Sequence, residues 1–181
     1  MPGNYRAQVE GYRFYDVSTN QNGLGKYSCV SLATAAEVTT ANAAGVPGNV
    51  GEICILTPVA GGLASRRILG VAQHSVLEGQ DVEVAVSGVS WVMVNNAVAL
   101  DSVLHAAANG TRTNLQTPFV DNEDMMVPLD PRLSVTFNLA LADDTALPGA
   151  NTVHYPLGYA LKAGVAQYDV IPVELDLGYR R

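Results

Sequence analysis

Two stretches of the sequence decide the predicted fold: LGVAQHSVLEGQDVEVAV at residues 69–86 and LGYALKAGVAQYDVIPVE at residues 157–174. They align without a gap at a constant shift of 88 positions. Each begins Leu-Gly-x-Ala, continues through a glycine-containing turn and starts a second segment with Asp-Val. The expected scaffold residues are Leu69, Gly70, Ala72 and Asp81 in the first stretch, and Leu157, Gly158, Ala160 and Asp169 in the second. Two related hairpins predict one pseudo-symmetric β domain, because two copies are too few to stack as a solenoid.

The residue types in these stretches favour strands joined by turns. Val82, Val84 and Val86 recur at every second position, which is the period of a half-buried strand. The glycine of each Leu-Gly-x-Ala segment permits close approach of a neighbouring backbone. The aspartate before each second strand suits a turn, since its carboxylate accepts hydrogen bonds from nearby backbone N–H groups.

Short apolar or alternating segments predict further strands on both sides of these hairpins. The predicted strands cover residues 27–32, 51–57, 68–72, 82–86, 89–94, 133–141, 157–161 and 169–177. Ser87-Gly88 predicts a break, and Asn109-Gly110 predicts a hairpin turn between strands at 103–106 and 111–117. Residues 33–44 are rich in Ala and Thr and fit either a short helix or a loop. Many short strands with little helix predict an all-β protein, a compact sandwich or barrel of antiparallel strands.

The first 25 residues differ in character from the rest. We expect residues 26–181 to form a single β domain with an insertion loop near 118–155, and residues 1–25 to form an extended N-terminal arm. The arm carries the candidate contact residues for a partner protein or a neighbouring subunit, which are Tyr5, Arg6, Tyr12, Arg13, Phe14 and Tyr15. A strand of the domain's own sheet is an equally good interpretation of this segment.

Composition and charge limit the classes of partner. Of the 181 residues, 48% are hydrophobic and only 15% charged, which is too apolar for a disordered chain. The net charge is −7, and residues 69–176 alone carry −10, so this region repels a nucleic-acid backbone. The chain has neither an apolar segment typical of a secretory leader nor a window of about eighteen apolar residues. We therefore expect synthesis in the cytoplasm, with neither nucleic acid nor membrane as a partner.

The sequence lacks the recognisable motifs of catalytic and cofactor-binding sites. His74, His105 and His154 are isolated from one another, which favours ordinary strand or surface positions over metal ligation. Cys29 and Cys54 lie in apolar contexts, which favours buried thiols over a disulfide. The acidic residues 121–124 favour a solvated loop over a Ca²⁺ site, and Trp91 favours packing in the core or an interface. We expect a non-enzymatic protein without cofactor or metal.

The hairpin segments are similar to those of a known family. Residues 69–72 and 79–89 resemble the "GVA…GxxVxVxxxG" pattern of phage capsid decoration proteins of the DUF2190 type. Residues 100–103, leading to Asn109-Gly110, resemble the family's "GDxV…DxxG" hairpin, and residues 157–175 resemble its closing "GxAL…AGxxxxVxV" segment. The resemblance covers roughly residues 50–120 and 155–177, and the chain is longer than compact members of that family.

This resemblance implies a structural rather than a chemical role. It implies a virion protein on the outer capsid surface that binds the major capsid protein, assembles as a homodimer or homotrimer and stabilises the head by bridging coat subunits. The alternative is an all-β receptor-binding or glycan-binding module of a virion. The residues that carry the resemblance are scaffold positions and are not catalytic.

Overall fold

The computed structural model of the protein describes residues 7–17, 23–60, 63–94, 97–112, 135–142, 155–166 and 169–177. Within these ranges the chain forms twelve strands and one helix. In chain order the elements are β1 (Gln8–Phe14), β2 (Gly23–Leu24), β3 (Cys29–Leu32), α1 (Ala35–Ala43), β4 (Ile53–Leu56), β5 (Val59–Ala60), β6 (Leu63–Ala64), β7 (Gly70–Ala72), β8 (Asp81–Met93), β9 (Val103–Arg112), β10 (Val135–Ala142), β11 (Pro156–Ala160) and β12 (Val170–Leu175). The predicted all-β class is confirmed.

Five strands close into a barrel. Around the ring the order is β1, β4, β3, β7 and β8, and pairing of β8 with β1 completes it. β1 and β4 run parallel through the pair Phe14↔Cys54, whereas all other neighbours in the ring are antiparallel. Because the ring closes, these strands satisfy each other's backbone groups and leave no exposed sheet edge between them.

Alternation along the strands fills the barrel with apolar side chains. One buried cluster forms this interior and comprises Phe14, Leu24, Val30, Cys54, Leu56, Ala72, Val76, Val82 and Val84. Val82 and Val84 are buried, whereas Asp81 and Glu83 between them are exposed. The period of two that predicted this strand therefore separates the barrel interior from its outer surface.

The helix α1 covers the outside of one barrel strand. Thr34 caps its first turn: the Glu37 backbone N–H donates to Thr34 Oγ1, and the Thr34 backbone N–H donates to Glu37 Oε2. This reciprocal capping box satisfies two N–H groups that would otherwise lack partners. Val38 and Ala41 of the helix belong to a buried cluster with Ile53 and Ile55 of β4. The Ala- and Thr-rich segment is thus a helix rather than a loop.

The strand β8 joins the barrel to a second sheet. Its first half pairs with β1 and β7, and its second half pairs with β12 from Gly88↔Leu175 to Met93↔Val170. From there the sheet continues through β11, β9, β10 and β2. The predicted break at Ser87-Gly88 is wrong: the pairing with β1 shifts register near Ser87, Gly88 has φ of +81°, and the strand continues along a new partner.

A second apolar core lies between this sheet and the barrel wall. It combines Cys29 and Val71 from the barrel strands with residues of the second sheet, among them Val92, Leu157 and Ile171. All of these are buried. In the described part of the chain one core thus lies inside the barrel, a second lies between its outer wall and the second sheet, and a smaller cluster lies beneath α1.

The hairpin turn predicted at Asn109-Gly110 is also wrong. Both residues lie within β9 and pair with β10, through Asn109↔Asn138 and Gly110↔Phe137. The ten residues of β9 form a long antiparallel ladder with β10, and these backbone bonds outweigh the local turn preference of Asn-Gly. Residues 97–108 do not form the helix that propensity alone would favour, in line with the strand prediction there.

The N-terminal arm predicted over residues 1–25 is wrong for Gln8–Phe14, since these residues form a strand of the barrel. The alternative of a strand in the domain's own sheet is confirmed for them. The physical reason is burial: Phe14 is completely buried in the barrel core, and Tyr12 packs against that core. Residues 1–6 lie outside the described ranges, as does most of the predicted insertion loop near 118–155, within which only β10 and Tyr155 are described.

Candidate functional sites

The described residues among the predicted partner contacts, Tyr12, Arg13, Phe14 and Tyr15, do not form one exposed surface. Phe14 and Tyr15 are buried in this chain's own cores, and Tyr12 is half-buried. The Arg13 Nε atom donates to Asp81 Oδ1 at 2.9 Å across the β1–β8 ladder, and Arg13 Nη1 donates to the Pro47 carbonyl oxygen. Tyr5 and Arg6 lie outside the described residues. Phe14, Tyr15 and the half-buried Tyr12 therefore contribute to this chain's own cores.

The two scaffold glycines, Gly70 and Gly158, have the same steric surroundings in their hairpins. A Cβ built on Gly70 would lie 2.1 Å from the Ala85 carbonyl oxygen, and one built on Gly158 would lie 2.0 Å from the Glu174 carbonyl oxygen. In each hairpin the glycine thus lets the second strand approach. The aspartates differ: Asp169 Oδ2 accepts from the N–H groups of Val165 and Ala166 at the turn, whereas Asp81 bonds Arg13.

One end of the barrel is closed by apolar side chains. Leu24 and Val76 exchange two backbone hydrogen bonds, of 2.7 and 3.1 Å, and both are buried in the barrel core. Phe14 at the end of β1 belongs to the same cluster.

The opposite end of the barrel opens into a cavity of about 390 Å³, which we call the barrel mouth. Its lining residues come from the ends of the barrel strands and from the segments beside them: Glu10, Leu32, Arg66, Arg67, Ile68, Leu69, Val86 and Leu177. Five of these eight are aliphatic, and Leu69 and Val86 pack against the barrel core. The mouth is thus an apolar depression with three charged residues in its lining.

Two arginines in this lining are held differently. Arg66 makes a bidentate pair with Glu37, with nitrogen–oxygen distances of 2.7 and 3.0 Å. The hydrogen bonds from Arg66, followed by those from Thr34, lower the pKa of Glu37 although burial opposes this. Arg67 donates through Nε to the Leu177 carbonyl oxygen at 3.1 Å. Its terminal nitrogens have no partner among the described residues, so they are available to a ligand at the mouth.

Glu10, the acidic residue in the lining of the mouth, accepts a hydrogen bond from within the chain. Tyr12 donates its hydroxyl proton to Glu10 Oε2 at 2.5 Å. Burial, then this hydrogen bond and the charge of Glu10, raise the pKa of Tyr12 to about 12. The phenol therefore stays protonated at neutral pH and cannot act as a base there.

The second sheet carries an exposed apolar row on the face that points away from the barrel. Trp91 and Pro172 lie directly opposite each other on β8 and β12, and the Leu161 N–H continues the pairing by donating to the Pro172 carbonyl oxygen. Trp91 is 51% exposed and Leu161 39% exposed. The next row on this face contains the half-buried Val89 and Tyr159, with the exposed Glu174 between them. We call Val89, Trp91, Tyr159, Leu161 and Pro172 the tryptophan face.

Trp91 is 51% exposed and is therefore not a core residue. Its neighbours on the same strand, Ser90 and Val92, point to the other face and are buried. Sequence reasoning drew attention to Trp91 but not to the barrel mouth, where only the adjacent pair Arg66-Arg67 stands out in the sequence.

In the described ranges the cysteines and histidines lie at separate places in the fold. Cys29 and Cys54 are free and buried, as predicted, and burial raises the pKa of each thiol to about 12. His105 is buried in β9 and His74 is half-buried after β7, whereas His154 and the acidic residues 121–124 lie outside the described ranges. Among the described residues, no group of three or more His, Cys, Asp or Glu could hold a metal ion.

No family model matches the chain, and no curated protein or solved structure is significantly similar to it. In the part of the chain that the structure describes, no helix combines the length and the apolarity needed to cross a membrane.

Proposed function

We propose that this protein is a structural component of a phage virion, which binds the outer surface of the capsid as a homo-oligomer and stabilises the head by bridging coat subunits. The hairpin segments support this proposal through their resemblance to capsid decoration proteins. The barrel and the second sheet provide a rigid scaffold, and such a role requires buried contact area rather than chemistry.

The observation that carries the proposal is the tryptophan face. Exposed Trp is uncommon on a monomer surface, and Trp is enriched among the residues that dominate binding at protein interfaces. Here Trp91 lies at 51% exposure beside Pro172 and Leu161 on a sheet whose strands are mutually hydrogen-bonded. A rigid apolar surface of this kind loses little conformational entropy on binding.

The direct test is retention of the purified protein on expanded empty heads of its own phage, measured by co-sedimentation. We expect the wild-type protein to saturate the heads and Trp91→Ala to bind about thirtyfold more weakly, the effect of removing an interface hot spot. Val50→Ala is the matched control, because Val50 is 66% exposed, lies between α1 and β4 in the chain and is not part of the tryptophan face. A wild-type protein that leaves the heads bare contradicts the proposal, and a Trp91→Ala variant that decorates them normally contradicts the role of this face.

The arm hypothesis needs a smaller deletion than residues 1–25, because removing β1 would open the barrel. Deletion of residues 1–6 leaves Gln8–Phe14 in place and removes Tyr5 and Arg6. If these residues contact the coat protein or a neighbouring copy, head binding or the solution mass of the oligomer falls in this variant. Unchanged head binding and an unchanged oligomer mass would contradict the hypothesis that these residues contact the coat protein or a neighbouring copy.

A glycan-binding or receptor-binding module of a virion is the second candidate. The exposure of Trp91, with Tyr159 in the next row of the same face, favours it, since aromatic faces stack on sugar rings. A glycan array separates the two functions. Binding to an array ligand that is lost in Trp91→Ala, together with no retention on heads, would support the module and contradict decoration.

A further inference from the structure

We infer that the barrel mouth is a binding site for a small apolar carboxylate, a molecule with one aliphatic body and one carboxylate group. This inference is independent of the proposed function, because it concerns the open end of the barrel and does not use the tryptophan face. The shared ligand chemistry has two natural sources, a free medium-chain fatty acid and the C-terminal residue of an apolar peptide.

The shape and lining of the mouth support the aliphatic body. Its volume of about 390 Å³ lies at the lower end of the roughly 300–1,000 Å³ typical of ligand pockets. Leu32, Leu69 and Val86 provide an apolar wall, and the barrel interior beneath them is filled by its own buried side chains. A ligand therefore occupies the mouth without entering the barrel, and transfer of its aliphatic part from water drives binding.

The electrostatics of the mouth support the carboxylate. Arg66 is neutralised by its bidentate pair with Glu37, whereas Arg67 uses only Nε, toward the Leu177 carbonyl oxygen. That bond holds the guanidinium in place and leaves its terminal nitrogens without a described partner. Two parallel N–H groups of an arginine match the two oxygens of a carboxylate.

Glu10 limits the ligand to a single negative charge. It lines the same cavity and accepts the Tyr12 hydroxyl hydrogen bond, so its carboxylate remains at the mouth. A second carboxylate beside it would be repelled. We therefore place the one acidic group of the ligand at Arg67 and its apolar body against Leu32, Leu69 and Val86.

Isothermal titration of the full chain with decanoate, below its micelle concentration, tests the site. We expect saturable binding of one decanoate per chain and at least about tenfold weaker binding of 1-decanol, which lacks the charge. Arg67→Gln weakens decanoate binding about tenfold and leaves decanol binding unchanged. Arg13→Gln is the matched control, because Arg13 bonds Asp81 and Pro47 and does not line the mouth.

A second set of ligands distinguishes the two sources. The dipeptide N-acetyl-Ala-Leu is compared with its C-terminal amide. A preference for the free acid over the amide, with a higher affinity than that for decanoate, assigns the site to peptide C-termini, whereas a higher affinity for decanoate than for the dipeptide acid assigns it to fatty acids. Both outcomes support the inferred chemistry.

Three results would overturn the inference: non-saturable binding, equal affinity for decanoate and decanol, or decanoate binding that is lost in Trp91→Ala and kept in Arg67→Gln. The decanoate-to-decanol comparison uses the wild-type chain, so it decides the matter even if a variant fails to fold. Leu32→Asn provides a further check, since it removes part of the apolar wall and should weaken both ligands alike.

Discussion

The two related hairpins of this protein share their local sequence signals but end in different surroundings. The hairpin of β7 and β8 is part of a closed barrel, whereas the hairpin of β11 and β12 lies in the second sheet. Both require a glycine where the partner strand approaches, at Gly70 and Gly158. The strand registers of the two hairpins differ by one residue. In the first hairpin Ala72 pairs with Val84, which the gapless alignment matches to Pro172. In the second hairpin Ala160 pairs with Val173 instead.

The difference teaches that a hairpin signal specifies the hairpin and not the sheet around it. β8 is long enough to serve both halves, with its first half in the barrel and its second half paired to β12. Only the first half meets β1, which returns from the N-terminal side of the chain to close the ring. The second hairpin continues instead through β9, and its exposed side carries the tryptophan face.

The largest expected effect comes from the barrel core. Phe14→Ala should reduce the free energy of unfolding by about 4 kcal/mol, because a fully buried aromatic side chain is replaced by a cavity. Chemical denaturation measures the loss, and Val17→Ala, an exposed position just after β1, is the control. A loss below about 1 kcal/mol for Phe14→Ala would mean that Phe14 is not buried in the barrel core, and it would contradict the role of β1 as a barrel strand.

The glycine pair tests whether the two hairpins are equivalent. Gly70→Ala and Gly158→Ala should each cost about 3 kcal/mol, because the added Cβ would overlap a backbone carbonyl oxygen in either hairpin. Gly11→Ala, where an added Cβ meets nothing within 4 Å, should change stability little.

Hydrogen exchange should then separate the two halves. Gly158→Ala should expose the amides of β11 and β12 while the barrel amides stay protected, since the ring closes without them. Gly70→Ala should expose both halves, because it disturbs β8, which they share. Identical exchange patterns in the two variants would contradict the division into a barrel and a dependent sheet.

A smaller effect concerns pH and the helix on the barrel side. Since hydrogen bonds from Arg66 and Thr34 lower the pKa of Glu37, the carboxylate stabilises the fold fully above its ordinary value of 4.5. This contribution is lost as the pH falls through the lowered pKa of the folded state. Glu37→Gln should therefore cost about 1 kcal/mol near neutral pH and progressively less as the pH falls below 4.5, measured by thermal unfolding across that range. A constant difference between the proteins at all pH values would contradict this assignment.

The smallest effect separates the two aspartates. Asp169→Ala should cost about 1 kcal/mol, because its carboxylate accepts two backbone N–H bonds at the turn. Asp81→Ala should change the thermal midpoint hardly at all, since its bond to Arg13 is solvent-exposed. Equal losses would mean that the aspartates have one role in both hairpins, as the sequence alignment alone predicts.

Much of the fold could be predicted from local patterns. The strands β4, β7, β8, β10, β11 and β12 all lie in segments whose alternation or apolar character predicted them. The turns predicted at Ser87-Gly88 and Asn109-Gly110 were wrong although each pair has the local preference of a turn. Long-range pairing with β12 and with β10 outweighs that preference. The barrel mouth could not be predicted, since its lining comes from positions as distant as Glu10 and Leu177.

The sequence by itself determined the all-β class, the paired hairpins and the burial of the cysteines, because these follow from side-chain periodicity and residue type over short distances. Only the tertiary structure decided that Gln8–Phe14 closes a barrel, that Trp91 is exposed and that one barrel end opens beside Arg67. These features depend on which strands meet and which face each pairing buries. That choice depends on the free energy of the assembled cores and is not encoded in any one segment.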